Sequence, residues 1–314
     1  QIQNDVPRGE PGDLGVLYDH RNKFLAIGLW DPFSDLRLRI LQTREPVEIG
    51  PEFFCRQLCR ALESRKHLQA EGTTGYRVVH GENDGFPGLV LDRYDDTGVV
   101  KLYTAAWVPY LEPLLALFRD RVPLRRCVLR LGRNARGPIE ATGKFRDGQG
   151  VFGPKVEGPV RFRENGLRFE AAVLSGPKTG FFLDQRENRR RFQALARDRS
   201  VLNGFSYSGA FSVYAFAGGG RSVMEIDTNL HALETSRKMV SLNFPGRSFG
   251  EAALAQRQGD AFEELKILRE KGQAFDLVLL DPPAFASSRK QKARALSAYR
   301  RLAEAGARVT RSGG

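Results

Sequence analysis

The sequence predicts an α/β protein whose C-terminal half is a parallel sheet covered on both faces, preceded by a small N-terminal β module and a central α+β domain. Three observations predict this. Short apolar runs alternate with segments of helical period from about residue 201 onward, which is the pattern of βαβ units. One of those runs, Leu277-Val278-Leu279-Leu280, is wholly apolar, as a strand buried on both faces and central in its sheet requires. The earlier part instead shows short strands separated by Gly, Pro, Asn and Asp turns. The 314 residues accommodate two or three domains, at roughly 100–200 residues each.

Residues 14–18, 24–28 and 36–41 read as three short strands, the last alternating apolar residues with Arg37 and Arg39 so that one face is cationic. Residues 53–68 carry Phe54, Leu58 and Leu62 at helical spacing, with Arg56, Arg60 and Arg65 interleaved, and predict an amphipathic helix. Strands at 76–80 and 89–94 flank the turn-rich stretch Gly81-Glu82-Asn83-Asp84-Gly85-Phe86-Pro87-Gly88. A strand at 99–103, a helix at 109–121 and a strand at 127–131 complete an α+β unit. Residues 132–158, rich in Gly and charge, read as a linker or mobile surface loop. A hairpin turning at Glu164-Asn165-Gly166 follows. Then come strands near 201–205, 221–226, 257 and 275–280, alternating with helices at 210–217, 232–242, 262–271 and 293–310. The expected domains are 1–68, 69–158 and 159–314.

Hydrophobic residues make up 41% and charged residues 27%, enough apolar surface to offset the ordering entropy of a folded chain. The formal charge of +12 comes mostly from Arg, whose planar guanidinium suits phosphate, so a nucleic acid is the expected partner; a generally Arg-rich surface is the alternative. No apolar run approaches the ~20 residues that span a bilayer, and no signal sequence opens the chain, so a cytoplasmic location is expected. The three cysteines, Cys55, Cys59 and Cys127, form no CxxC pair, which speaks against a disulfide framework and a metal site. Cys55 and Cys59, one helical turn apart, read as two small buried residues. The chain begins at Gln1 and stops at the turn Ser312-Gly313-Gly314, and reads as a fragment truncated at both ends.

Open parallel sheets bind ligands beyond the carboxyl ends of their strands, where strand order reverses. Asn203-Gly204-Phe205-Ser206-Tyr207-Ser208-Gly209-Ala210-Phe211 is a small-residue turn from strand into helix, lacking both GxGxxG and the Gly-Lys of a phosphate-binding loop. A cofactor without a phosphate therefore fits. Glu225-Ile226-Asp227 ends the next strand about twenty residues on, where Asp227 can accept from both ribose hydroxyls; a helix cap is the plainer reading. Asp260, after the third strand, faces the same choice between an adenine amino group and a cap. Asp281-Pro282-Pro283-Ala284-Phe285 forms a rigid turn that can hold the Asp281 carboxylate and the Pro282 carbonyl beside a planar base, with Phe285 available to stack.

Together with Lys178-Thr179-Gly180-Phe181-Phe182-Leu183-Asp184-Gln185-Arg186, these motifs resemble the RlmI-like family of class I ribosomal RNA methyltransferases, over nearly the whole chain. The stretch 76–94 resembles that family's central domain and 12–41 the later part of its N-terminal PUA domain. The resemblance implies a Rossmann-like fold, S-adenosylmethionine as cofactor and 23S ribosomal RNA as partner. It implies that Phe181, Asp184 and Arg186 close over the methionine end, that Asn203, Phe205, Tyr207 and Gly209 form the cofactor loop, and that Asp227 and Asp260 serve the ribose and adenine sides. Asp281, which also borders the cofactor, Pro282 and Phe285 form the catalytic turn, and Arg189, Arg190, Arg37 and Arg39 grip RNA. No metal is implied, and the oligomeric state is open, a homodimer included. Gly204 departs from the bulkier apolar residue of relatives.

The family's usual product is 5-methylcytosine, whose formation needs a thiolate to add to carbon 6 of the base. All three cysteines precede the methyltransferase segment, and the resemblance implies a nucleophile after the strand that follows the Gly313-Gly314 turn, so little or no catalysis is expected from a chain ending there. Two alternatives stay open: methylation of a base nitrogen at the Asp-Pro-Pro turn, which needs no cysteine, and a non-catalytic RNA-binding or ribosome-assembly protein.

Overall fold

The computed structural model describes residues 9–246, 250, 252–286 and 289–313. Two compact units emerge. The first runs to Gly166 and takes in Glu170–Leu183, and the second comprises Leu167–Phe169 and the chain from Asp184.

In the first unit, β1 (Leu14–Tyr18), β2 (Phe24–Trp30) and β3 (Leu38–Thr43) make an antiparallel sheet in that order. The β1–β2 turn closes because Asp19 Oδ1 accepts from the backbone of Arg21 and Lys23, leaving Asn22 at φ +60°, which Asn tolerates. The helices α1 (Pro51–Glu63) and α2 (His67–Ala70) follow. Proline at the first turn of α1 and Phe53, Phe54, Leu58 and Ala61 on its buried face explain its start and its orientation.

A five-stranded sheet runs in the order β4 (Gly75–His80), β5 (Leu89–Tyr94), β6 (Thr97–Leu102), β7 (Arg126–Leu131), β8 (Gly150–Phe152). Only β6 and β7 pair in parallel, joined by the crossover helix α3 (Leu111–Arg121). Phe54, Phe86, Trp107 and Phe118 fill the core between helices and sheet, and Trp107 Nε1 finds the Pro87 carbonyl at 2.8 Å.

A hairpin of β9 (Val160–Glu164) and β10 (Leu167–Ala171) follows, whose turn residues Asn165 (φ +50°) and Gly166 (φ +79°) both take the left-handed conformation that such tight turns need. The second unit contains a parallel sheet ordered β13 (Leu254–Gln258), β12 (Ser222–Asp227), β11 (Ser200–Gly204), β14 (Leu277–Leu280). Its helices are α5 (Arg186–Leu195), α6 (Ala210–Ala217), α7 (Leu230–Asn243), α8 (Ala261–Glu270) and α9 (Lys292–Arg308). Alternate strand residues separate the two faces. Leu202, Met224 and Ile226 pack with Leu265, Leu268 and Leu302 of α8 and α9, whereas Asn203 and Glu225 meet Ser212 of α6 and Ser236 of α7. Strand order reverses at β11, which has β12 on one side and β14 on the other.

Three expectations change. The stretch 132–158 is not a solvated connection: it holds α4 (Arg133–Glu140) and β8, with Ala135, Ile139 and Phe145 buried. Gly137 and Pro138 disguise a helix whose inner face has residues four apart. The apolar β14 stands at the edge of the described sheet and is half-buried, because an apolar run reports cover on its faces and says nothing of its place in the strand order. Cys59 is exposed and Cys55 half-buried, since the inward stripe of α1 is already filled by Phe and Leu. Among the described residues no helix is long and apolar enough to cross a membrane.

Candidate cofactor and active site

The carboxyl end of β11 is the switch point, and the segment leaving it is strained. Phe205 and Tyr207 sit at φ +61° and +46°, a region that costs side-chain-bearing residues about 1–2 kcal/mol each. Asp227, at the end of β12, offsets part of that cost: its Oδ2 accepts from the Tyr207 backbone N–H at 2.8 Å and its Oδ1 from that of Asn229 at 2.9 Å. Each carboxylate oxygen keeps a second lone pair for a ligand hydroxyl. The Tyr207 phenol is pushed above its ordinary pKa by burial and by the Asp227 charge. The Ser206 hydroxyl is buried and has no hydrogen-bond partner among the described residues. An unmet buried hydroxyl in a strained turn at a switch point fits a polar group of a bound ligand.

Gly209, at φ +71°, begins α6 where no side chain fits: a Cβ there would stand 1.7 Å from Ser236 Oγ. Beneath the turn lies a buried network. Glu225 Oε1 accepts from Ser236 and its Oε2 from Gln256 Nε2 at 2.7 Å, while Ser212 bonds Glu225 and accepts from Asn203 Nδ2 at 2.9 Å. Burial raises the Glu225 pKa against these hydrogen bonds. Asn203 thus supports the turn from inside, 2% exposed, and its amide is spent on Ser212. At Gly204 a Cβ would stand 2.7 Å from the Leu280 side chain.

Across the reversal, β14 delivers Asp281. Its backbone N–H reaches the Gly204 carbonyl at 3.4 Å, and Gln185 Nε2 donates to its Oδ2 at 3.2 Å. Asp281 keeps contact with solvent. Partial burial first, and the Asp184 carboxylate second, lift its pKa, while Arg189 pulls it back. Asp184 is exposed, and Arg186 is half-buried in an ion pair with Glu187 at 3.0 Å. Pro282 and Pro283 follow with no N–H to donate, so this turn presents acceptors.

The structure gives several of the expected site residues partners that their motifs do not indicate. Arg189 is 1% exposed, with its guanidinium 5.9 Å from the Phe211 ring centroid, so it does not present itself to RNA; Arg190, beside it, is exposed. The first turns of α5 lack an apolar residue before Phe192, and Arg189 takes the inner position three residues earlier. Phe181 belongs to the first unit, 3% exposed and edge-to-face on Phe162 at 5.0 Å, which makes its ring core material rather than ligand surface. The Phe285 ring is engaged by Tyr299 at 4.7 Å and Phe262 at 6.2 Å rather than standing open. Asp260 caps α8, its Oδ1 accepting from Phe262 and Glu263. In the first unit, Arg37 is exposed and donates to the Pro32 carbonyl, whereas Arg39 turns inward to line a cavity. Sequence reasoning passed over Gln185, Ser206 and Glu225. Only Glu225 left a signal, a carboxylate within the otherwise apolar run Val223–Ile226. Among the described residues no group of three or more His, Cys, Asp or Glu is placed to hold a metal ion.

Residues 154–311 match the model of the S-adenosylmethionine-dependent methyltransferase family, and residues 1–43 that of a PUA-like domain. A ribosomal RNA large subunit methyltransferase of Deinococcus radiodurans is 48% identical over 97% of this chain and 75% of its own length. The chain belongs to this methyltransferase family. Another member, the ribosomal RNA large subunit methyltransferase I of Tolumonas auensis, is 35% identical over 96% of this chain and 74% of its own. Two solved methyltransferases share the fold at 22% identity. One, from Streptococcus mutans, has a TM-score of 0.79 over 98% of this chain and 76% of its own; the other, complexed with SAH, has 0.81 over 97% and 76%. The methyltransferase is S-adenosylmethionine-dependent, its second unit is the Rossmann-like sheet, and the orphaned Ser206 hydroxyl and the spare lone pairs of Asp227 fit that cofactor.

Proposed function

We propose that this methyltransferase modifies a base of 23S ribosomal RNA in the cytoplasm, with 5-methylcytosine as product. The observation that carries the site is the meeting of Asp281 with the end of β11 at the strand reversal, next to Asp227 at the end of β12. The naming of the Deinococcus relative and the +12 charge support an RNA substrate. S-adenosylmethionine supplies an electrophilic methyl group when bound. Asp227 would hold the ribose hydroxyls, Ser206 would donate to or accept from the cofactor, and the strained Phe205–Tyr207 turn would let backbone approach it. Asp260, with one carboxylate oxygen spent on the cap of α8, would serve the adenine side with the other.

The Asp281 carboxylate and the Pro282 carbonyl are two acceptors on a rigid turn, suited to the amino group of a base held beside the methyl donor. Arg189 opposes from within the upward shift that burial and Asp184 impose on Asp281, and Gln185 donates to its carboxylate. A second reading, methylation of a base nitrogen, is favoured by this acceptor pair.

Calorimetric titration of Asp227→Ala tests the cofactor site. The expected loss in S-adenosylmethionine affinity is about 10- to 100-fold, as for one or two hydrogen bonds to a charged group, and unchanged affinity refutes the assignment. Mass spectrometry of the methylated nucleoside separates 5-methylcytosine from N-methylated products.

A further inference from the structure

The first unit contains a cavity of about 300 Å³ that the methyl-transfer site does not use, walled by Asp31, Phe33, Arg39, Tyr103, Asn134 and Pro138. It lies where the β2–β3 connection meets the end of β6 and the start of α4. Asp31 fixes that connection: buried, it accepts from Thr104 Oγ1 at one oxygen and from the Phe33 backbone N–H, at 3.1 Å, at the other. The consequence is that Phe33 is held outward at 60% exposure, with Tyr103 also at the rim at 45%. Phe33 and Tyr103, the latter with Lys101 Nζ 5.4 Å from its ring centroid, give the cavity rim two aromatic faces on which a planar group can stack.

The inner wall carries an unmet demand. Arg39 Nη2 donates to Ser34 Oγ at 3.3 Å, but its Nε is buried and has no acceptor among the described residues. A guanidinium N–H in that state calls for an acceptor from a ligand. The ligand is not an anion: Asp31 and Asp35 both line the cavity, two carboxylates against the one guanidinium of Arg39. A phosphate would be repelled there. What remains is a planar, uncharged group with a carbonyl or ring-nitrogen acceptor on its edge, and Asn134, exposed at the mouth, offers both a donor and an acceptor to that edge.

We infer that this cavity takes one unpaired base of the RNA substrate, stacked on the aromatic rim and accepting a hydrogen bond from Arg39 Nε. This rests on the reading of the protein as an RNA methyltransferase, and it assigns Arg39 to a base where the strand pattern alone suggested a phosphate. Single-stranded RNA is read this way, by stacking on aromatic rings and by contacts to base edges.

The test is fluorescence anisotropy with a labelled single-stranded oligocytidine dodecamer over a range of salt, with the full chain, Phe33→Ala, the double variant Phe33→Ala/Tyr103→Ala, and Arg39→Gln. Both aromatic positions are exposed, so their replacement leaves the fold intact. The expected loss for the double variant is about 5- to 100-fold, the range for one stacked base. Its log–log salt slope should match that of the parent, because no phosphate contact is removed. Affinity for S-adenosylmethionine should not move. Equal RNA affinity of parent and double variant overturns the base site while leaving the RNA reading standing. A shallower salt slope for Arg39→Gln overturns it by making Arg39 a phosphate contact. Free cytidine monophosphate competing as well as the oligomer overturns it in favour of a mononucleotide site. No RNA binding by a parent that still binds S-adenosylmethionine overturns the RNA reading, and the base site with it.

Discussion

Replacing Gly209 by Ala should damage the second unit more than any single methyl group normally does. The residue sits at φ +71°, where Ala costs about 1 kcal/mol more than Gly. The new Cβ would stand 1.7 Å from Ser236 Oγ, 2.4 Å from Ser236 Cβ and 2.8 Å from Glu225 Oε1. Relieving that overlap costs about 1–3 kcal/mol as overpacking. Displacing the Ser236 hydroxyl from a carboxylate that is fully buried costs about 1–3 kcal/mol more. Together these reach about 3–7 kcal/mol, against a typical domain stability of 5–15.

The protein's two tryptophans, Trp30 and Trp107, both lie in the first unit and cannot report this event. Native-state hydrogen exchange of peptides from β11 to α7 can, and should show protection lost by that amount. Ser236→Gly removes the two closest clashing atoms and leaves only Glu225 Oε1, at the cost of a helical glycine and one donor to Glu225. The double variant should therefore be more stable than the sum of the singles by about 1–3 kcal/mol. A loss below about 1 kcal/mol for Gly209→Ala, or the absence of coupling with Ser236→Gly, would refute the packing account.

Arg189→Met should move the acid limb of the methyl-transfer rate to higher pH, because Arg189 opposes the upward shift of Asp281; an unmoved limb removes Arg189 from the site's electrostatics. Asp276 is held well below the ordinary carboxylate range, first by the Ser200 backbone N–H, then by Arg311 and the Ser200 hydroxyl. Its folded pKa is depressed, so its contribution is present above about pH 4 and lost as pH falls below that. Unfolding midpoints of Asp276→Asn and the parent should differ at pH 7 and converge toward pH 2, and a constant gap would contradict the assignment. In thiol titration at pH 8, Cys59 should react at once and Cys127, pushed up to about 12 by burial, only after denaturation.

Much of the proposed site was legible because its residues lie at strand ends, where the sequence is punctuated. The small-residue turn after Asn203, Asp227 about twenty residues later and the Asp-Pro-Pro turn each mark the end of an apolar run, and all three fall at the carboxyl edge of the parallel sheet. What misled was side-chain direction. A run such as Arg186-Glu187-Asn188-Arg189-Arg190-Arg191 gives no sign of which Arg is turned inward, since only the packing of α5 on α6 makes Arg189 the inner residue. Phe181 looked like ligand surface because it belongs to a motif, yet its ring fills a core with Phe162. Residues 132–158 looked like a linker because Gly137 and Pro138 hid the pair Ala135 and Ile139.

The sequence by itself determined the fold class, the order of strands and helices in the second half, the strand ends that hold carboxylates and the cationic character that suits RNA. These follow from local periodicity, turn chemistry and net charge, which need no knowledge of what lies across the core. Only the tertiary structure decided that strand order reverses at β11, bringing Asp281 to Gly204, that Glu225 binds Ser212, Ser236 and Gln256 beneath the turn, and that Arg39 faces a cavity rather than water. Those are contacts between residues far apart in the chain, and their geometry is set by how helices and strands pack, a many-body constraint that no single segment encodes.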